Sequence, residues 1–255
     1  MSQAYVPDDT VLLVGEGNFS FARSLVENYL HTGHQVVATA FDEEDVALKK
    51  YGESEVGDNV QCLRDCEAKV LFGVDATCLE QCKELRGASF TRIIFNFPHV
   101  GAGIKDQARN IKANQQLISS FLSSAQAFLN MNQVGRPGEI HITIKTKAPY
   151  DAWRIKTLAK RADPALKCAL SFQFDCARWP GYEHRRTLGF KEGLSHRDNV
   201  EILEKDPRTY VFTPPLEGEE DEVEGKARKG KGSGSKKQGK GKREELSSDE
   251  DEEDV

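Results

Sequence analysis

Four consecutive apolar residues, Val11–Val14, run into Gly15-Glu16-Gly17-Asn18, and an apolar pattern of helical period begins at once. Phe21, Ala22, Leu25, Val26 and Tyr29 share one face of that helix, which should end near His31-Thr32-Gly33 with Gly33 as its cap. Strand and helix patterns then alternate. Gln35–Phe41 reads as a strand closing on Asp42, residues 43–51 as a helix, residues 52–61 as a polar loop and Cys62–Lys69 as a helix. Val70–Val74 is a short strand ending in Asp75-Ala76-Thr77, followed by a helix over Cys78–Leu85. Thr91–Phe95 is a strand running into Asn96-Phe97-Pro98-His99, and after the loop Val100–Ile104 comes a long helix, Asp106–Asn130. Glu139–Thr146 alternates as a strand, Asp151–Ala162 is a helix capped by Asp151, and Leu166–Cys176 and Arg208–Thr213 are two final strands. Alternation of this kind predicts an α/β fold with a mainly parallel sheet covered on both faces, and two closing strands without a helix between them predict a C-terminal antiparallel hairpin.

The first turn has the shape of a nucleotide cradle. Gly15 permits a backbone conformation closed to other residues, and Gly17 lets a ligand approach the main chain beside the start of a helix. The third glycine of the G-x-G-x-x-G pattern is replaced by Ser20, so the turn alone does not name the ligand. Asp42, just past the second strand, stands where a carboxylate can hold a ribose diol, or it caps the following helix. Asp75 is open to the same two readings, a purine amino group or a cap. In Asn96-Phe97-Pro98-His99 the proline restricts the preceding aromatic residue to extended backbone, which holds the Asn96 amide in a fixed direction. The alternative is an ordinary strand-to-loop turn.

Composition changes the picture mainly at the C-terminus. The chain has 255 residues, 38% of them hydrophobic, and a net charge of −6. Apolar residues almost vanish after Pro215, and the stretch from Glu217 onward, with nine Lys/Arg against fourteen Asp/Glu, carries −5 of that charge. We expect a folded domain over residues 1–214 and a disordered charged tail over 215–255. The first ten residues lack a secretory signal and no apolar run is long enough for a bilayer, which points to a soluble intracellular protein without membrane contact. Its six cysteines are then expected as reduced thiols. Cys62/Cys66 and Cys78/Cys82 have the spacing of helix-face neighbours rather than the two-residue gap usual for zinc, so no metal site is expected.

A glycine turn after strand one, acids after strands two and three, an Asn-Pro type turn after strand four and a terminal hairpin together form the layout of a Rossmann-like seven-stranded class I methyltransferase. In that layout the turn Gly15-Glu16-Gly17-Asn18-Phe19-Ser20 receives the amino-acid end of S-adenosylmethionine. Asp42 holds its ribose, Asp75 and Ala76 its adenine, and Asn96-Phe97-Pro98 faces the methyl-bearing sulfonium. A nicotinamide-binding reductase would share only the first two features.

The strings LLVGEGNFSFA, GVDAT, FNFPHVGAGI with DQARNIKANQ, and WPGYEHRRTLG, in this order, resemble the fungal and plant family of large-subunit ribosomal RNA uridine-N(3) methyltransferases. The resemblance spans residues 8–213, with Ala102 standing where the family usually has the third glycine of a VGGGI loop. It implies S-adenosylmethionine as donor and ribosomal RNA or a pre-ribosomal particle as partner; a monomer located in the nucleus and nucleolus is expected. Methylation at uracil N(3) needs loss of the imide proton, by a base or by groups that stabilise the imidate. Asn96 is then a candidate partner of a uracil carbonyl, and His99 a candidate proton acceptor or else a packing residue. A paired base must be extruded to be reached. His184, Arg185 and Arg186, in a loop with Trp179 and Tyr182, together with Lys145 and Lys147, are candidates for gripping the RNA. The alternative function is a noncatalytic RNA-binding ribosome-assembly factor that retains the fold. In the tail, the basic run Lys226–Arg243 suits nuclear import or added RNA affinity, or serves solubility alone, and Ser247 and Ser248 precede acidic residues as candidate phosphorylation sites.

Overall fold

The structure of the protein is a computed structural model that describes residues 5–131, 137–187, 189 and 199–215. The chain divides into two units, Met1–Pro214 and Pro215–Val255. The expected disorder and the import and phosphorylation readings of the tail lie outside the described residues.

The first unit is built on one seven-stranded sheet in the order β3-β2-β1-β4-β5-β7-β6. Its strands are β1 Val11–Val14, β2 Val36–Thr39, β3 Lys69–Leu71, β4 Arg92–Asn96, β5 Glu139–Ile144, β6 Lys167–Gln173 and β7 Arg208–Thr213. The pairs among β1 to β5 are parallel, whereas β7 runs antiparallel to both β5 and β6. This is the sheet of class I methyltransferases, with the terminal hairpin that the pattern predicts.

Strand β1 shows why its apolar run is continuous rather than alternating. Leu12 and Val14 enter one core with Ile93, Phe95, Phe121 and Phe212, while Val11 and Leu13 enter a second core with Phe21, Leu25, Ile94 and Leu63. All four β1 side chains are buried, as a central parallel strand covered on both faces requires. One face carries α4 Gln107–Gln126 and α5 Ile155–Lys160. The other carries α1 Ser20–Leu25, α2 Glu44–Tyr51, α3 Glu53–Asp65 and α6 Val200–Leu203.

Several local expectations are corrected. Residues 52–61 are not a loop: α3 begins at Glu53 and ends at Asp65, so the expected helix over Cys62–Lys69 starts nine residues earlier and stops sooner. Val56, Asn59, Val60 and Leu63 form a buried stripe at helical spacing, which the glycines at 52 and 57 disguise. Gly33 does not cap the first helix. That helix continues as a π turn, Val26–Leu30, and closes on His31 at φ 60, whose N–H bonds the Val26 carbonyl. Gly33 instead meets the α3–β3 connection, donating its N–H to the Cys66 carbonyl at 2.7 Å, where a Cβ would lie 2.6 Å from Ala68 N.

The helix expected over Cys78–Leu85 is two short 3-10 segments, Ala76–Gln81 and Lys83–Leu85. Here Asp75 takes the Thr77 N–H and the Ser124 hydroxyl of α4 takes the Leu79 N–H, so side chains intercept bonds that a helix would use. Asp151 belongs to a separate 3-10 turn, Tyr150–Trp153, and Arg154 at φ 50 breaks the chain before α5. Asp106 does cap α4, accepting the Arg109 N–H at 2.7 Å. Among the described residues no helix is long and apolar enough to cross a membrane, and the six cysteines are free and half-buried.

Candidate active site

Strand order reverses between β1 and its neighbours β2 and β4, and the crevice outside their carboxyl ends is where open α/β sheets bind ligands. A cavity of about 370 Å³ lies there. Gly15, Glu16, Gly17 and Asn18 line it from the first turn, Phe41 and Asp42 from the end of β2, Asp75 and Ala76 from beyond β3, and Asn96, Phe97 and His99 from the end of β4. His184 and Arg185 complete it from the segment Tyr182–Thr187, here called the strap.

The turn is shaped by close approach. Gly15 sits at φ +68 with its backbone against the Phe95 ring, and a Cβ there would come 2.4 Å from Phe95 Cε2. Glu16 accepts the Ala22 N–H at 3.2 Å, and burial pushes its carboxyl up to about 7. Asn18 and Ser20 bind the strap. Asn18 Nδ2 donates to the Glu183 carbonyl at 3.2 Å, and Ser20 Oγ accepts the Glu183 N–H at 3.1 Å. Ser20 and Phe19 are buried and are not among the lining residues; Phe19 packs edge-on against Phe72.

Asp42 is not the helix cap of its alternative reading, because the capping position of α2 is Glu43. Its carboxylate instead accepts Lys50 Nζ at 3.0 and 3.2 Å and the Tyr51 hydroxyl at 3.0 Å, so α2 orients it towards the cavity. Asp75 does act as a cap, through one oxygen that takes both the Thr77 N–H at 2.8 Å and the Thr77 hydroxyl at 2.7 Å. The same carboxylate also bonds the Cys78 thiol.

At the end of β4, Thr143 Oγ1 donates to Asn96 Oδ1 at 2.6 Å, and the Asn96 Nδ2 amino group is buried with no partner. A buried unpaired donor is costly unless a ligand meets it. Phe97 is not extended as its neighbouring proline suggests. It adopts φ 51, in the left-handed region that non-glycine residues rarely occupy, and its N–H bonds the Thr143 carbonyl at 2.7 Å. Such strain persists where surrounding contacts impose it and is concentrated at functional sites. Pro98 is buried and outside the lining. His99 Nδ1 accepts the Gly101 N–H at 3.0 Å, and burial, aided by the charges of Lys145 and Arg186, pulls its pKa down to about 4.

The strap is less available than its composition suggests. Trp179 and Tyr182 are buried residues packed on Phe21 and Phe174, and Tyr182 lines the cavity from within that packing. Arg185 is held by Glu55 at 2.6 Å and by Glu183 at 2.5 Å. Arg186 faces Glu201 at 3.8 Å. His184 lies edge-on to Phe97 at 4.8 Å, and burial lowers its pKa to about 3. Lys145 stands over the Tyr150 ring and Lys147 is exposed, both just beyond the carboxyl end of β5 and outside the cavity lining.

Sequence reasoning missed Phe41, Lys50, Tyr51 and Glu55. Phe41 is 66% exposed although aromatic, and its position beside Asp42 at a strand's carboxyl end was the available signal. Glu55 left no signal, because it lies in the segment read as a loop.

S-adenosylmethionine carries an ammonium and a carboxylate, a ribose diol, a purine and a sulfonium. The site offers a half-buried carboxylate at Glu16, an oriented carboxylate at Asp42 and an exposed aromatic face at Phe41. The donor set fits that group.

Residues 12–186 match the family described as rRNA (uridine-N3-)-methyltransferase, BMT5-like. The chain is 31% identical over 253 residues to the 25S rRNA (uridine(2634)-N(3))-methyltransferase of Saccharomyces cerevisiae, covering 81% of this chain and 73% of that one. It is 35% identical over 186 residues to the heavy metal-associated isoprenylated plant protein 41 of Arabidopsis thaliana, covering 72% of this chain but 34% of the plant protein. Among solved structures, a putative methyltransferase from Streptococcus mutans superposes with a TM-score of 0.42 at 11% identity, over 82% of this chain and 45% of that one. The matched span contains every motif that meets at the cavity, and the chain belongs to the BMT5-like rRNA (uridine-N3-)-methyltransferase family.

Proposed function

We propose that this protein transfers the methyl group of S-adenosylmethionine to N(3) of a uridine in large-subunit ribosomal RNA. The observation that carries the reading is the convergence, on one cavity inside the family-matched span, of the glycine turn, Asp42, Asp75 and the Asn96–His99 turn. When bound, S-adenosylmethionine supplies an electrophilic methyl group. Glu16 would hold its ammonium, Asp42 the ribose hydroxyls, Phe41 one face of the purine and the Asp75 carboxylate the purine amino group. Asn96 and His99, which line the cavity from the end of β4, would meet the extruded base. Lys145, Lys147 and Arg186, outside the lining at the same edge of the sheet, meet the phosphates that flank it. The protein acts as a monomer in the nucleolus, with the basic run of the tail as its import element.

Two measurements test this. Calorimetry with S-adenosylmethionine should give binding in the micromolar range, and failure to bind at millimolar ligand sinks the enzymatic reading. Large-subunit rRNA from cells lacking the chain, incubated with the protein and methyl donor, should gain 3-methyluridine by nucleoside mass spectrometry. Binding of both ligands without that product would favour an assembly factor.

A further inference from the structure

Two cavity-lining residues from the end of β4, Asn96 and His99, carry donors. Thr143 occupies Asn96 Oδ1, which leaves the buried Nδ2 amino group without a partner. His99 Nδ1 is occupied by the Gly101 N–H at 3.0 Å. A neutral imidazole that accepts at Nδ1 carries its proton on Nε2, so the ring's other polar atom is a donor as well. The charged groups acting on His99 are Lys145 beyond β5 and Arg186 in the strap, both cationic, and together with burial they keep the ring neutral. His184, the second histidine of the cavity, feels the same two cations and Arg185. Protonating His99 would require giving up the Gly101 bond and adding a third positive charge.

We infer that His99 and Asn96 recognise uracil, and stabilise it without its N(3) proton, by donating Nε2–H and Nδ2–H to the carbonyl oxygens that flank N(3). This rests on the uridine-N(3) reading above and replaces the expectation that His99 is the base. Uracil presents acceptor, donor, acceptor along its pairing edge, and once the imide proton is gone the negative charge lies mainly on the two oxygens. Cytosine places an amino group where uracil has one of those oxygens, setting donor against donor, a mismatch that buried polar sites reject strongly. Lys145 and Arg186 favour the anionic base in the same sense in which they disfavour a charged histidine. In the reaction, solvent hydroxide removes the N(3) proton and becomes water. The N(3) lone pair then forms the bond to the methyl carbon as the carbon–sulfur bond breaks, its electron pair going to sulfur.

Long-range proton–nitrogen spectra of the full chain with labelled histidine should show His99, assigned by its loss in His99→Gln, as the neutral Nε2–H tautomer at pH 7. The Nδ1–H tautomer, or an imidazolium, overturns the inference. Single-turnover methylation of rRNA from cells lacking the chain should rise about tenfold per pH unit between pH 6 and 8, because the reactive form is the imidate. A rate flat over that range, as a histidine base already neutral would give, overturns it. His99→Gln keeps a side-chain N–H and should hold the rate within about tenfold, whereas His99→Leu should lose about a hundredfold or more with cofactor affinity unchanged. Equal loss in both variants contradicts a donor role. Product restricted to 3-methyluridine is expected, and 3-methylcytidine counts against the donor pattern. A wild-type protein that yields no 3-methyluridine at any pH removes the uridine-N(3) reading itself, whatever the tautomer.

Discussion

The Ser20 hydroxyl accepts the backbone N–H of Glu183 at 3.1 Å, across 163 positions of sequence. Its own proton has Asn18 Oδ1 at 2.8 Å and the Glu183 carbonyl at 3.1 Å as acceptors. The residue that stands in place of a third glycine is therefore the latch that holds the strap against the cofactor turn. Ser20→Ala leaves the Glu183 N–H without its partner and should cost about 1–3 kcal/mol. Thermal denaturation should show a midpoint lowered by several degrees, and calorimetry a weaker cofactor, since Glu183, His184 and Arg185 line the same cavity. An unchanged midpoint would mean that water replaces the latch without loss.

The latch also shows what could be read without coordinates. The sheet, its terminal hairpin and the convergence of Gly15, Asp42, Asp75 and Asn96 were legible, because strand–helix alternation and residues at strand ends depend on local pattern and one topological rule. The function of Ser20 was not, because its partner comes from the far end of the chain. The same holds for Arg185, whose charge suggested a phosphate contact until Glu55 of α3 was found beside it. Glu55 itself was hidden by Gly52 and Gly57, which made a buried helical stripe look like a loop. His99 was legible as a site residue, but its tautomer is set by a backbone N–H two residues on, a geometric fact that composition does not carry.

Glu16 links cofactor binding to a proton. Burial raises its pKa from 4.5 to about 7, partly offset by the Ala22 N–H. An acid whose folded pKa lies above its unfolded value contributes stability that is complete below the unfolded value and is lost as pH rises through the folded one. The ligand-free domain should therefore lose this contribution between about pH 4.5 and 7. An ammonium placed against Glu16 favours the ionised form, so cofactor binding at pH 6.5 should release a proton. Calorimetry in two buffers of different ionisation heat measures that release. In Glu16→Gln the release should vanish and affinity should fall, and a release that persists would assign the proton to another group.

Three histidines act in the opposite sense. His99 is pulled to about 4 and His184 to about 3, and His141 is also lowered, in each case first by burial. For a base with a depressed folded pKa, the stability is fully present above the unfolded value near 6.5 and disappears as pH falls towards the folded values. Each histidine should contribute a slope of up to about 1.4 kcal/mol per pH unit below pH 6.5, with the single Glu16 opposing in part of that range. Urea unfolding measured from pH 7 to 4 should show stability falling steeply. His184→Phe, which retains a ring against Phe97, should make that fall shallower; an unchanged slope would mean that His184 does not titrate on unfolding.

Arg185 and Arg186 are adjacent but should answer differently to substitution. Arg185 bridges Glu55 and Glu183, and Glu55 also accepts Asn18 Nδ2 at 2.5 Å, so the guanidinium ties α3, the cofactor turn and the strap together. Its removal leaves two carboxylates facing each other without a cation, in a half-buried setting between the surface and interior limits, at a cost of about 1–2 kcal/mol. Because Arg185 lines the cavity beside Gly17, Arg185→Ala should weaken S-adenosylmethionine binding as well as RNA binding. Arg186 pairs with Glu201 at 3.8 Å and lies outside the lining, so Arg186→Glu should reduce RNA affinity at low salt while leaving cofactor affinity within about twofold. Calorimetry and filter binding on the two variants separate these effects. Loss of RNA binding alone in Arg185→Ala would return that arginine to the phosphate-binding surface and release the strap from any part in the cofactor site.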